Sequence, residues 1–112
     1  MNLEKLYVSK ELREKKIVVD GEEIPIKVRD ITWMRKQKIL NDNFTFGKDG
    51  EMKFNMAGYK RAMLLEMIAD APWGKTDAVF LEQINSEVGD QLDKIVPEAF
   101  SKETTTDFFA KG

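Results

Sequence analysis

Ile17-Val18-Val19-Asp20-Gly21-Glu22-Glu23-Ile24-Pro25-Ile26-Lys27-Val28 reads as two short apolar strands folded back on one another. Asp-Gly suits a two-residue hairpin turn because both central positions of that turn need positive φ. With a period of two, Ile24, Ile26 and Val28 share one face of the second strand, while Pro25, Lys27 and Arg29 share the other. Pro25 has no N–H to give to a neighbour, so its strand is expected at a sheet edge, or with that position turned to solvent. A ribbon of two strands is marginal in water, and its apolar face must lie on helices or on another chain.

Helical patterns come after the hairpin. Asp30 or Thr32 can cap a helix over about Trp33–Asn41. Residues 44–54 read as a connection, with Thr45 and Phe46, then Lys48-Asp49-Gly50, then Met52 and Phe54 forming a small second hairpin. Asn55 can cap the strongest helix, about Met56–Asp70, where Met56, Tyr59, Met63 and Met67 recur at steps of three and four and Leu64 and Ile68 widen the stripe. Pro72 is expected to stop it. Thr76 can cap a shorter helix carrying Phe80, Leu81 and Ile84, and Ser86 can open another carrying Val88, Leu92, Ile95 and Val96, ended near Pro97. The fold class expected is α+β and mainly helical: an N-terminal antiparallel β-hairpin on a bundle of about four short helices. One domain is expected over residues 1–100, with a flexible, polar C-terminal tail over 101–112.

Composition narrows the chemistry. The 112 residues contain neither Cys nor His, which removes disulfides, thiolate nucleophiles, the usual zinc ligands and the commonest general base. The net charge is −2, so no global field favours phosphate backbones. Its distribution is uneven: residues 1–38 hold 10 basic and 7 acidic side chains (+3), leaving 8 and 13 (−5) for residues 39–112. Opposed halves of this kind can associate head to tail or offer an acidic face to a basic partner, and they also suit an ordinary solvated surface. The unprotected Ile17–Val19 edge points to self-association. The start, Met1-Asn2-Leu3-Glu4-Lys5, lacks the basic-then-apolar pattern of a signal peptide, and no apolar run is long enough for a membrane span. A soluble, cytoplasmic, non-enzymatic protein is expected.

Three motifs have simpler readings than the chemistry they suggest. Residues 69–76, Ala-Asp-Ala-Pro-Trp-Gly-Lys-Thr, satisfy a relaxed phosphate-loop pattern ending in Gly74, Lys75 and Thr76. A real phosphate loop follows a buried strand and offers flexible backbone N–H groups. Here the expected antecedent is a long helix, and Pro72 and Trp73 occupy the loop, so the match is read as false and no cofactor is expected. Lys48-Asp49-Gly50-Glu51 lacks the carboxylates of a calcium loop and reads as a turn, leaving no metal site. Arg35-Lys36-Gln37-Lys38 is basic, but with no reading motif around it the charges are treated as a solvated face and no nucleic-acid partner is expected. The six methionines suit irregular core gaps and also surfaces that accept varied helices. Trp33 and Trp73 can anchor a core or an interface. The candidate partner-binding residues are therefore Trp33, Met34, Met63, Met67 and Trp73, joined by Phe108 and Phe109 near the C-terminus.

A hairpin running into Val28-Arg29-Asp30-Ile31-Thr32-Trp33 resembles the tail assembly chaperones of long-tailed bacterial or archaeal viruses. So do Gly47-Lys48-Asp49-Gly50, a helix closed by Asp70-Ala71-Pro72-Trp73-Gly74, and helices around Phe80-Leu81 and Leu92-Asp93-Lys94-Ile95-Val96. The likeness spans about residues 15–100. It implies a protein of the host cytoplasm, absent from the mature virion, that binds and solubilises the helical tape-measure protein during tail assembly. Many members are also made as a longer frameshifted product whose extra segment recruits the tail-tube subunit, which adds the major tail-tube protein as a second partner; the 112 residues contain no such segment. The alternative expectation is a small cytoplasmic adaptor, regulator or structural virus protein acting by protein–protein contact.

Overall fold

The computed structural model describes residues 3–100. After a short 3-10 turn at Leu3–Leu6, the chain forms β1 (Arg13–Val19), β2 (Glu22–Val28), α1 (Trp33–Asp42), β3 (Phe44–Phe46), β4 (Met52–Phe54), α2 (Met56–Met67), β5 (Ile68–Asp70), α3 (Ala78–Gln83) and α4 (Ser86–Asp93). The class is α+β, as the sequence leads one to expect. The tail expected over residues 101–112 lies outside the described residues. Among those described, no helix is long and apolar enough to cross a membrane.

The first turn obeys its chemistry. Asp20 and Gly21 have φ of 50° and 79°, and Val19 faces Glu22 across a two-residue loop. The ladder continues in register to Arg13 opposite Val28, so β1 extends well before the expected Ile17. β2 is not an edge strand. It lies between β1 and β5 in the order β1-β2-β5. Pro25 is nevertheless tolerated. Counting from the turn, Pro25 opposite Lys16 is a non-hydrogen-bonded pair, so its nitrogen faces away from β1. On that side β5 pairs only with Lys27 and Val28, and Pro25 stays exposed.

The largest departure from the sequence reading is the end of α2. The helix stops at Met67, and Ile68–Asp70 becomes β5 with no intervening loop. Arg29 donates its backbone N–H to the Met67 carbonyl at 2.8 Å, and Val28 then faces Ile68. The free side of β2 takes those three residues before Pro72 can act. Ile68 therefore belongs to the sheet's core and does not widen the helical stripe.

Two apolar clusters flank α2. On one side Ile17, Ile26 and Val28 of the sheet meet Leu64, Ile68, Ala71 and Leu92, with Phe80, Leu81, Ile84 and Val88 of the last two helices beside them. On the other, Ile39 and Leu40 of α1 meet Tyr59, Met63, Met67 and Ala99. Ile95 and Val96 touch both clusters. They lie past the end of α4, in turns where Ile95 N–H donates to the Leu92 carbonyl and Val96 N–H to that of Asp93.

The helix caps match the expected chemistry with two shifts of one residue. Thr32 accepts from Arg35 N–H, and Asn55 from Gly58 N–H. For the last two helices the caps are Asp77 and Asn85, not Thr76 and Ser86. Asp30, the other candidate cap for α1, instead pairs with Arg13 at 2.6 Å. The β3–β4 hairpin is closed at Asn43 and Asn55, where Asn55 N–H donates to the Asn43 carbonyl at 2.8 Å and Asn43 Nδ2 donates to the Ile39 carbonyl at 2.7 Å.

Gly58 sits against both asparagines. A Cβ there would collide with Asn43 Oδ1 and lie 2.7 Å from Asn55 Nδ2. Gly89, inside α4, has room: the nearest neighbour of an added Cβ is Ile84 Cδ1 at 3.8 Å. Gly58→Ala is expected to destabilise by about 1–2 kcal/mol, as lost capping outweighs the gain in helix propensity. Gly89→Ala should stabilise by about 0.5–1 kcal/mol. Urea midpoints of the two variants check the opposite signs.

Tyr59 makes stability depend on pH in the alkaline range. It is buried, its hydroxyl donates to the Pro97 carbonyl at 2.8 Å, and burial pushes its pKa from 10 up to about 12. The folded phenol keeps its proton after the unfolded one has lost it. Its contribution is complete below pH 10 and is lost as pH rises toward 12. Tyr59→Phe should cost about 1 kcal/mol at pH 7 through the lost hydrogen bond, and should flatten the fall in urea midpoint between pH 10 and 12.

Candidate partner-binding surface

The cap at Thr32 places Trp33 and Met34 in the first turn of α1. They are 71% and 67% exposed, although the same helix buries Ile39 and Leu40 two turns later. Trp33, Gln37 and Leu40 recur at steps of four and three and form one stripe of α1, and Phe44 follows at the start of β3. That stripe, with Lys36 and Asn41, lines one wall of a hollow of about 490 Å³, and Ala99 and Phe100 line the other. Trp33 also lines a second hollow of about 800 Å³, with Leu6, Tyr7, Val8, Glu4, Lys10 and Thr32. The Trp33 ring is a ridge between two depressions.

The floor beside this ridge is a packed aromatic cluster. Phe44, Phe54 and Phe100 contact one another with ring centroids 4.8–5.9 Å apart, and Phe54 meets Tyr59 at 5.8 Å. These are favourable tilted and edge-on geometries. The start of α1 is tied to α2 by Arg35, whose Nε donates to Glu66 Oε1 at 2.6 Å. That hydrogen bond, reinforced by the Glu66 charge, raises the Arg35 pKa above its ordinary value. Lys38 pairs with Asp42 at 3.4 Å. Of the basic run at 35–38, only Lys36 has no ion pair among the described residues, and it lines the first hollow.

The other candidates divide. Met63 and Met67 are 0% and 3% exposed and fill the seam between α1 and α2, so they support the surface from beneath and do not form it. Met34, Met52 and Met56 are exposed. Trp73 is half-buried elsewhere: it stacks on Phe80 at 4.7 Å with planes 14° apart, and its indole N–H donates to Thr76 Oγ1 at 2.8 Å. Trp73 belongs to the periphery of the sheet's core. Phe108 and Phe109 lie outside the described residues. Leu6, Tyr7, Val8 and Phe100 escaped the sequence reading. The first three form an apolar run too short for either periodicity to register.

The loop containing Gly74, Lys75 and Thr76 does not emerge from a long helix, as the sequence pattern suggests. It comes after a strand, β5, and precedes a helix, so local order alone does not dismiss it. Its chemistry does. The Thr76 hydroxyl is buried and already bonded to Trp73. Phe80 N–H at the start of α3 is taken by the Asp77 carboxylate at 2.9 Å, an anion standing where phosphate would have to sit. Gly50 N–H donates to the Gly47 carbonyl at 3.0 Å, so the turn expected over residues 48–51 forms one residue earlier, over 47–50. Among the described residues, no three Asp or Glu side chains converge closely enough to hold a metal ion.

The two tryptophans should separate experimentally. Trp33→Ala is expected to change stability by less than about 0.5 kcal/mol, since the ring is largely in water. Trp73→Ala should cost about 2 kcal/mol or more through lost stacking and burial. Acrylamide should quench the residual fluorescence of Trp73→Ala, which retains Trp33, more strongly than that of Trp33→Ala.

Comparison with known protein families, curated proteins and solved structures returns no match.

Proposed function

We propose that this chain is a tail assembly chaperone of a long-tailed virus, acting by binding and not by catalysis. Its surface around Trp33 covers apolar faces of the helical tape-measure protein in the host cytoplasm until the tail tube forms. The observation that carries this reading is Trp33, a large aromatic ring held 71% exposed between two hollows. Exposed apolar groupings of this kind mark interaction surfaces, and a ridge flanked by grooves suits the ridges and grooves of a helix. Aromatic anchors over packed floors are the usual centres of binding energy.

Support also comes from the exposed Leu6 and Tyr7 beside that ridge, which enlarge the apolar area a helix would cover. The major tail-tube protein is the second partner in this reading. Copies lined along one helix would touch, and self-association through the same apolar surface is expected. Within the Ile17–Val19 edge the backbone groups of Val18 are occupied by Gln91, so in this reading the apolar surface carries the self-association.

Co-expression with the tape-measure protein from the same genome tests the proposal. The native chain should raise the soluble fraction of that protein several-fold, and Trp33→Asp should abolish the gain without lowering the chaperone's own melting temperature. A soluble fraction unchanged by the native chain would leave an adaptor or regulatory role as the better reading.

A further inference from the structure

β1 forms one edge of the sheet. Counting outward from the two-residue turn, Val19, Ile17, Lys15 and Arg13 exchange hydrogen bonds with β2, so the backbone groups of Val18, Lys16 and Glu14 face away from it. At Val18 a side chain substitutes for the missing strand. Gln91 Oε1 accepts from Val18 N–H at 2.6 Å, and Gln91 Nε2 donates to the Val18 carbonyl at 2.8 Å. A primary amide thus reproduces the paired bonds of a neighbouring peptide. Beyond it, at Lys16 and Glu14, no described residue continues the ladder.

A groove of about 420 Å³ runs beside this open edge, between β1 and the end of α4. Ile17 and Ile95 give it an apolar floor, and Arg13, Lys15, Lys16 and Lys94 line it. Arg13 is engaged by Asp30 and Lys16 by Glu23. Lys15 and Lys94 have no ion pair among the described residues. Lys15 shares the face of Ile17, so both cations attend the groove side of the strand. A second β1 is a poor occupant, because on the groove face it carries Arg13 and Lys15 and no carboxylate, and would add like charge there.

We propose that this edge accepts an extended acidic segment of another protein as an added strand. Its backbone would pair with Glu14 and Lys16, and carboxylates at alternate positions would reach Lys15 and Lys94. Strand addition of this type draws affinity from main-chain hydrogen bonds and specificity from alternate side chains. The Gln91 clamp sets where the added strand must stop. The groove shares no lining residue with the two hollows around Trp33, so strand binding here is independent of any chaperone role for that surface.

The test uses the full chain and a fluorescein-labelled peptide of alternating Thr and Glu. Saturable binding with micromolar Kd is expected, together with slowed hydrogen exchange at the Glu14 and Lys16 amides. Lys15→Glu combined with Lys94→Glu should weaken binding at least tenfold. Glu14→Pro is the discriminating variant. It deletes an anion, which would strengthen plain charge attraction, but it also removes an outward-facing N–H without breaking the β1–β2 ladder. Strand addition therefore requires at least a tenfold loss. A peptide N-methylated at every residue must likewise bind at least tenfold more weakly, and it tests the same bonds if the proline variant does not fold. Tighter or unchanged binding by Glu14→Pro or by the methylated peptide overturns the proposal. So does an absence of binding at millimolar peptide, or pairing of β1 with a second copy.

Discussion

The arrangement depends on the junction where α2 turns directly into β5. The Met67 carbonyl accepts the N–H of Arg29, and the next three residues join β2. With no loop between helix and strand, the direction of α2 relative to the sheet is fixed by covalent geometry and a few hydrogen bonds. Leu64 then faces the sheet while Tyr59, Met63 and Met67 face α1. Placing α1 on the far side of α2 from the sheet's core leaves the Trp33 side chain of its first turn uncovered, while Arg35 in the same turn is held by Glu66 of α2.

The exposed tryptophan sits on an anchored turn. Arg35 and Glu66 hold the first turn of α1 to α2, and the interlocked asparagines at the other end of α1 close the β3–β4 hairpin against α2. A surface ring on a stiff support loses little conformational freedom on binding, since its backbone is already ordered. The buried methionines contribute by filling the seam beneath. Their flexible side chains suit the irregular space between two helices and an aromatic cluster.

Edge control on β1 has a different logic. Natural sheets protect open edges with charge, proline or covering elements. Here Gln91 covers one position and lysines line the next, which disfavours self-pairing while leaving main-chain groups available to a strand of opposite charge. Pro25, which looks from the sequence like the protecting residue, protects nothing on β1. It lies on the inner strand at a position where neither neighbour asks for its N–H.

By itself the sequence determined the elements whose signals are local. Asp20-Gly21 specifies its turn because both residues tolerate positive φ, and Thr32 and Asn55 specify helix starts because short side-chain oxygens satisfy free N–H groups. The two shifted caps show the limit of that rule. Thr76 and Asp77 are adjacent and equally able to cap, and burial of the Thr76 hydroxyl against the Trp73 indole leaves Asp77 to do so. Only the tertiary structure decided where α2 ends, because Ile68-Ala69-Asp70 carries a helical pattern that loses to the unfilled side of β2. It also decided which methionines and which tryptophan face water. Periodicity defines a stripe on one helix, but exposure depends on whether another element arrives to cover it, and that is set by contacts between residues far apart in the chain.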